Sequence, residues 1–131
     1  MIFLDIEPCP APRMTRSDKW KLDPNHSDPK KRQRVCVAKY FGFKDKLQWL
    51  CKKEKYTLQP EVTIKFELPM PEKWSEKKKK LMEGNPHKSR PDIDNLFKAF
   101  ADSFGNDDGF VWCIKAWKTW ARKGSIIIYE Q

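Results

Sequence analysis

Two aspartates one residue apart, Asp92 and Asp94, open the most regular helical pattern in the chain, and an acidic pair, Asp107-Asp108, follows where that pattern ends. Carboxylates gathered near one point repel each other and are tolerated when a hard divalent cation offsets their charge. Magnesium takes oxygen ligands and keeps several waters, so two or three aspartates suffice to hold it. Such a cation can activate water, polarise a phosphodiester and stabilise the departing oxygen. Lys98, one turn beyond Asp94, is placed to steady charge that develops in the transition state. The same residues also admit ordinary roles. Asp92 could be a helix N-cap and Asp94 a first-turn acid favoured by the helix dipole. Asp94 and Lys98 could be a surface ion pair, and Asp107-Asp108 before Gly109 could be turn chemistry.

The geometry sets a condition on the metal reading. Side chains two apart on a helix point about 200° apart, so Asp92 and Asp94 converge only if Asp92 lies outside the helix. Pro91 places the helix start here, with an extended or cap conformation expected at Asp92. Beyond it, Ile93, Phe97, Phe100 and Phe104 form an apolar stripe and Asp94, Lys98 and Asp102 a polar one, predicting a helix over 92–104 with a dry face and a working face.

Other elements must position that helix. Residues 1–7 read as a first strand, ended by Pro8, Pro10 and Pro12. A long basic stretch, 13–34, follows as a loop, functional or merely solvated. Tyr40, Phe43, Leu47, Leu50 and Cys51 recur with helical period within about 35–55. Alternation of Val62, Ile64, Phe66 and Leu68 predicts a half-buried strand over 61–68. Ser75 is the expected N-cap of a short helix whose lysine run is its wet face or lies near DNA, with Gly84 closing it. Residues 85–91 read as a polar loop, 110–120 as containing a strand, and 125–131 as a last strand. Strands and helices mix without regular alternation, so the expected fold class is α+β: one domain over 1–131, with a mixed sheet of about four strands and two or three helices.

Composition narrows the partner. Lys and Arg outnumber Asp and Glu by 27 to 18, a formal charge of +9, which favours polyanions through counterion release. Arg13, Arg16, Lys19, Lys88, Arg90 and Lys118 are the candidate phosphate contacts. The cysteines Cys9, Cys36, Cys51 and Cys113 have no zinc or redox spacing, and His26 and His87 fall in separate polar segments. No secretion signal or membrane-length apolar run is evident. A cytoplasmic protein with reduced thiols and no small-molecule cofactor is expected.

The segment RPDIDNLFKAFADSFGNDDGFVWCIKAWK resembles the signature of the RusA-type Holliday junction resolvases. The ordered set is Asp92, Asp94, Asn95, Leu96, Lys98, Asp102, Asp107-Asp108, Val111 and Lys118, with strand 61–68 and Pro69-Met70-Pro71 similar to the element ahead of it. The resemblance implies a homodimeric α+β nuclease, common in phages and prophages, that cuts four-way DNA junctions with Mg²⁺ or Mn²⁺ and leaves a 5′-phosphate and a 3′-hydroxyl. It places the metal-binding and catalytic carboxylates on Asp92, Asp94 and Asp108 and the catalytic lysine on Lys98. A shorter link after Asp102 leaves Asp107 as the alternative to Asp108. The run Trp112, Trp117, Trp120 is a second departure, expected in the core or a dimer interface rather than against bases. Two rival functions stay open: a non-catalytic recombination accessory protein, and a metal nuclease acting on other branched or single-stranded DNA.

Overall fold

The computed structural model describes residues 1–107 and 109–130. Its strands are β1 (Ile2–Leu4), β2 (Glu61–Pro69), β3 (Cys113–Ala121) and β4 (Ser125–Tyr129); its helices are α1 (Val35–Lys53), α2 (Glu76–Met82) and α3 (Ile93–Asp102). The strands form one mixed sheet in the order β1-β4-β2-β3. β4 runs antiparallel to both β1 and β2, whereas β2 and β3 are parallel over their whole length, from Glu61 opposite Cys113 to Pro69 opposite Ala121. A parallel pair needs a crossover, and here α2, the following loop and α3 provide it. The α+β class and the mixed four-stranded sheet agree with expectation; that β2 and β3 are its parallel pair was not foreseen.

Period-2 patterning decides which face is covered. β2 buries Val62, Ile64, Phe66 and Leu68, and Ile126 and Ile128 of β4 lie opposite Phe66 and Ile64. α1 lays Val37, Tyr40, Phe43, Leu47 and Cys51 inward, and α3 contributes Leu96, Ala99 and Phe100. The stripe on α3 is therefore centred differently from the sequence reading. Leu96, Ala99 and Phe100 are deepest, while Ile93, Phe97 and Phe104 flank them half-buried against the core. A helix packed over a flat sheet buries a band wider than one line of residues. Full burial of a side chain such as Phe100 contributes about 1.5–3 kcal/mol.

The ends of the elements follow local chemistry. The Ser75 hydroxyl accepts from the Lys78 amide, capping α2, whose residues are all off the core. Gly84, at φ 84°, turns the chain out of that helix. α3 stops at Asp102, two residues short of expectation. The Ser103 hydroxyl donates to the Ala99 carbonyl, and Gln48 of α1 donates to the Ser103 carbonyl at 2.8 Å. β1 is likewise shorter than read, and the strand expected within 110–120 is β3, which starts at Cys113. Among the described residues no helix is long and apolar enough to cross a membrane.

Two segments read as polar loops are ordered by buried groups. In 13–34, Asp18 is 2% exposed. Its carboxylate accepts from the Thr15 amide at 2.7 Å and from the Arg34 guanidinium at 2.6 and 2.9 Å. The Arg34 guanidinium beside it, with the Thr15 amide, holds the Asp18 carboxyl well below the usual carboxylate range. The contact therefore persists above that range and is lost only in strong acid. In 85–91, His87 is 5% exposed and lies 3.9 Å from the Trp120 ring, centroid to centroid. Burial, and then the nearby charge of Lys118, push the His87 imidazole below its ordinary 6.5. Its neutral form is the one packed, so its stabilisation is complete above 6.5 and is lost as pH falls through the lowered value. We predict that an NMR titration of the His87 ring gives a pKa below 6.5; a value at or above 6.5 contradicts this packing.

Candidate nuclease site

Asp92 has φ −69° and ψ 144°, extended backbone at the N-cap of α3, and its carbonyl accepts the first helical bond, from the Leu96 amide. This is the conformation the spacing required. Its side chain makes no capping hydrogen bond, although an aspartate there would ordinarily satisfy an orphan amide. The ordinary role for Asp92 is thus not the one adopted. Asp94 lies in the first turn and Lys98 one turn later, both exposed. Lys98 makes no ion pair with Asp94 or Asp102, so the surface-pair reading also fails. Asp102, at the far end of the stripe, instead accepts from the Tyr40 hydroxyl at 3.2 Å. That contact ties α3 to α1; burial, and then the Asp102 charge and this bond, push the Tyr40 hydroxyl up to about 12.

The third carboxylate assigned to the site, Asp108, lies outside the described residues. Its neighbour Asp107 is exposed, and its carbonyl accepts from the Phe110 amide, as a turn requires. The helix is ten residues long, so its two ends are roughly 15 Å apart. Only a loop that folds back along α3 could bring either acid to Asp92. Among the described residues no three acidic, His or Cys side chains gather closely enough to hold a metal. Asp92 and Asp94 nevertheless suit a hard cation, being exposed oxygen donors committed to no cap and no described ion pair.

Two segments that carry basic candidates adjoin the start of α3: 88–90 precedes it in the chain, and the 13–34 loop is tied to it at its head. The Ala11 amide donates to the Asn95 carbonyl at 3.2 Å, bringing the head of the basic loop to the first turn of the helix. Two residues on, the Arg13 carbonyl accepts from Arg34, so the Asp18–Arg34 pair fixes the base of that loop. Arg13, Arg16, Lys19, Lys88 and Arg90 are exposed and form no ion pair with any described residue. Lys118 differs: it is half-buried, and its ammonium donates to the Ser89 carbonyl and, at 2.6 Å, to the Pro91 carbonyl. Two of its three donors are thus used within the protein.

The tryptophans depart from the core half of their expectation, core or dimer interface. Trp112 is 71% exposed, Trp117 stacks on Tyr129 at 5.4 Å, and Trp120 lies between Trp74 and His87. None is in the core. Sequence reading missed Asp18 and His87 as structural anchors, and nothing local to them marks them; Tyr40 was read as part of the inward face of α1, but not its bond to Asp102. Lys118 did carry a signal. Ile114, Ala116, Lys118 and Trp120 alternate along one face of β3, so the lysine occupies an inward-facing position.

A mixed-sheet α+β domain that exposes uncommitted carboxylates at the start of one helix, with exposed basic residues in the two segments that adjoin it, has the make-up of a small nuclease. Comparison with family models matches residues 6–129 to endodeoxyribonuclease RusA, and the chain belongs to the RusA family of endodeoxyribonucleases. No curated protein and no solved structure was found to match it.

Proposed function

We propose that this protein resolves four-way DNA junctions by paired phosphodiester hydrolysis during recombination and repair. The observation that carries the reading, within an endodeoxyribonuclease family, is that Asp92 stands at a helix N-cap without capping the helix. An accessory DNA-binding protein would have no need to withhold that carboxylate. Asp92, Asp94 and Asp108 would hold Mg²⁺ or Mn²⁺. The ion, when bound, supplies an activated water and neutralises phosphate charge.

The chain's own residues do the rest. Lys98 extends from the exposed stripe of α3, and its flexible ammonium donates to the scissile phosphate as negative charge builds there. Arg13, Arg16 and Lys19 from the tethered loop, with Lys88 and Arg90 from the turn before α3, contact phosphates on either side. Such contacts position the backbone without reading sequence, so branch shape decides where the enzyme sits. A homodimer places two sites on opposed strands of a two-fold junction. These groups and the intracellular substrate suit a bacterial or phage-infected cytoplasm.

The test is cleavage of a labelled four-way junction against a linear duplex of the same sequence, with and without Mg²⁺. Paired nicks only in the junction, and only with the metal, are expected. Equal cutting of the duplex, or of flaps and single strands in preference, would replace junction resolution with a broader nuclease activity. Binding measured in Ca²⁺ should fall steeply with salt. On the order of six phosphate contacts give a log–log slope near about −5, whereas a nearly flat dependence would show that the basic loop and turn are not the binding surface.

A further inference from the structure

We propose that Lys118 is a positioning residue: it fastens the turn at Ser89–Pro91 and so sets where Asp92 and Asp94 stand. The proposal rests on the nuclease reading for its catalytic consequence and on hydrogen bonding alone for its structural one.

The turn has few other attachments. After α2 the chain runs along the outer edge of β3, where the Gly84 amide donates to the Trp120 carbonyl, Trp120 to Asn85, and the His87 amide to the Lys118 carbonyl. There the ladder ends. The Ser89 amide donates locally to His87 Nδ1 at 3.4 Å, and Pro91 has no amide to offer. Apart from that bond to His87, the only hydrogen bonds among the described residues that tie 88–91 to the rest of the protein come from the Lys118 ammonium, to the carbonyls of Ser89 and Pro91. The second of these carbonyls belongs to the residue immediately before Asp92.

Register explains how a lysine reaches there. Lys118 lies opposite the buried Phe66 of β2, on the sheet face that α3 covers, so its stem runs over apolar surface toward the start of the helix. An inward-pointing charge on an edge strand can also serve only to discourage edge-to-edge pairing, and an exposed ammonium can serve as a phosphate contact. Neither role calls for two carbonyl acceptors two residues apart in one turn.

The experiment compares wild type with Lys118→Met, which keeps the length of the stem and removes the donors. Hydrogen exchange on the metal-free protein is read first. The Ser89 amide and the first hydrogen-bonded amides of α3, 96–98, should exchange faster in the variant while those of β2 and β3 stay as in wild type. In cleavage, the Mg²⁺ concentration giving half-maximal rate should rise by roughly 10–100-fold, the usual cost of losing a group that orients metal ligands, with junction binding in Ca²⁺ unchanged. Lys118→Arg, which can still donate to both carbonyls, should recover most of the metal response. Should the Met variant prove too unstable to handle, Lys118→Gln, able to reach at most one carbonyl, is expected between the two.

Wild-type exchange at Ser89 and 96–98 in Lys118→Met overturns the proposal, whatever its activity. So does weakened junction binding with a salt slope reduced by about 1 and an unchanged Mg²⁺ response, the signature of a phosphate contact. A wild type that never cuts junctions would sink the functional reading instead, and the exchange data would still decide the role of Lys118.

Discussion

Asp92→Asn, Asp94→Asn and Asp108→Asn are each expected to abolish junction cleavage while leaving the fold and junction binding intact. Each change removes one charge and one metal-ligating oxygen at nearly constant shape. For Asp92 and Asp94 the structure gives a reason to expect little effect on stability. Asp92 makes no capping bond, and neither carboxylate enters an ion pair with a described residue. A variant lacking an N-cap bond would lose about 1 kcal/mol; here that bond does not exist to be lost. The rate should fall by far more than the roughly 100-fold that follows from disturbing a group outside the ligand set. Binding in Ca²⁺ should be equal to wild type or tighter, because negative charge near DNA is removed. Near-normal Mg²⁺-dependent cutting by any one variant would remove that residue from the site, and for Asp108→Asn it would shift the third position to Asp107.

The second large effect is expected at Lys98. As a transition-state donor, its replacement in Lys98→Gln should cut turnover by roughly 10²–10³ and leave binding nearly unchanged. Were it a solvated helix residue, the cost would be a few tenths of a kcal/mol in stability with activity spared. The absence of an ion pair to Asp94 or Asp102 already separates it from its helix neighbours. Lys98→Arg keeps the charge but changes the donor geometry, and should fall between the two. The measurement is single-turnover cleavage of a saturating four-way junction, with binding checked separately in Ca²⁺. Wild-type turnover for Lys98→Gln would leave the aspartates as the whole of the chemistry.

Much of this molecule could be read from patterning because its elements obey local rules. The alternation of β2, the helical period of α1, the Ser75 cap and the Pro91 start of α3 are each fixed by residues close together in sequence. The conformation of Asp92 followed from the same logic, since only an extended residue there lets two carboxylates approach each other. What patterning missed depends on contacts between distant residues. His87 looks like a loop histidine until Trp120 covers it. Asp18 looks like one more charge in a basic loop until Arg34 closes on it. The parallel pairing of β2 with β3 has no local signature, since period 2 is the same in either direction. Lys118 was read by its charge alone, and its inward place in the alternation of β3 was passed over.

The strand order also bears on how the chain acquires its shape. Every pairing in the sheet, β1 with β4, β2 with β4 and β2 with β3, involves one of the last two strands. Until residues 113–129 are available, β1 and β2 have no partner, and the central strand of the finished protein has two open edges. Contacts spanning this much sequence are slow to form, because the loop they close must be ordered before they contribute anything. The sheet therefore cannot be built piecemeal as synthesis proceeds from the N-terminus. It condenses after the C-terminal strands have left the ribosome, and the turn held by Lys118 of β3 can be fastened only in that late step. The ordered start of α3 thus depends on a strand that follows it in sequence, since both lysine bonds to 89–91 come from β3.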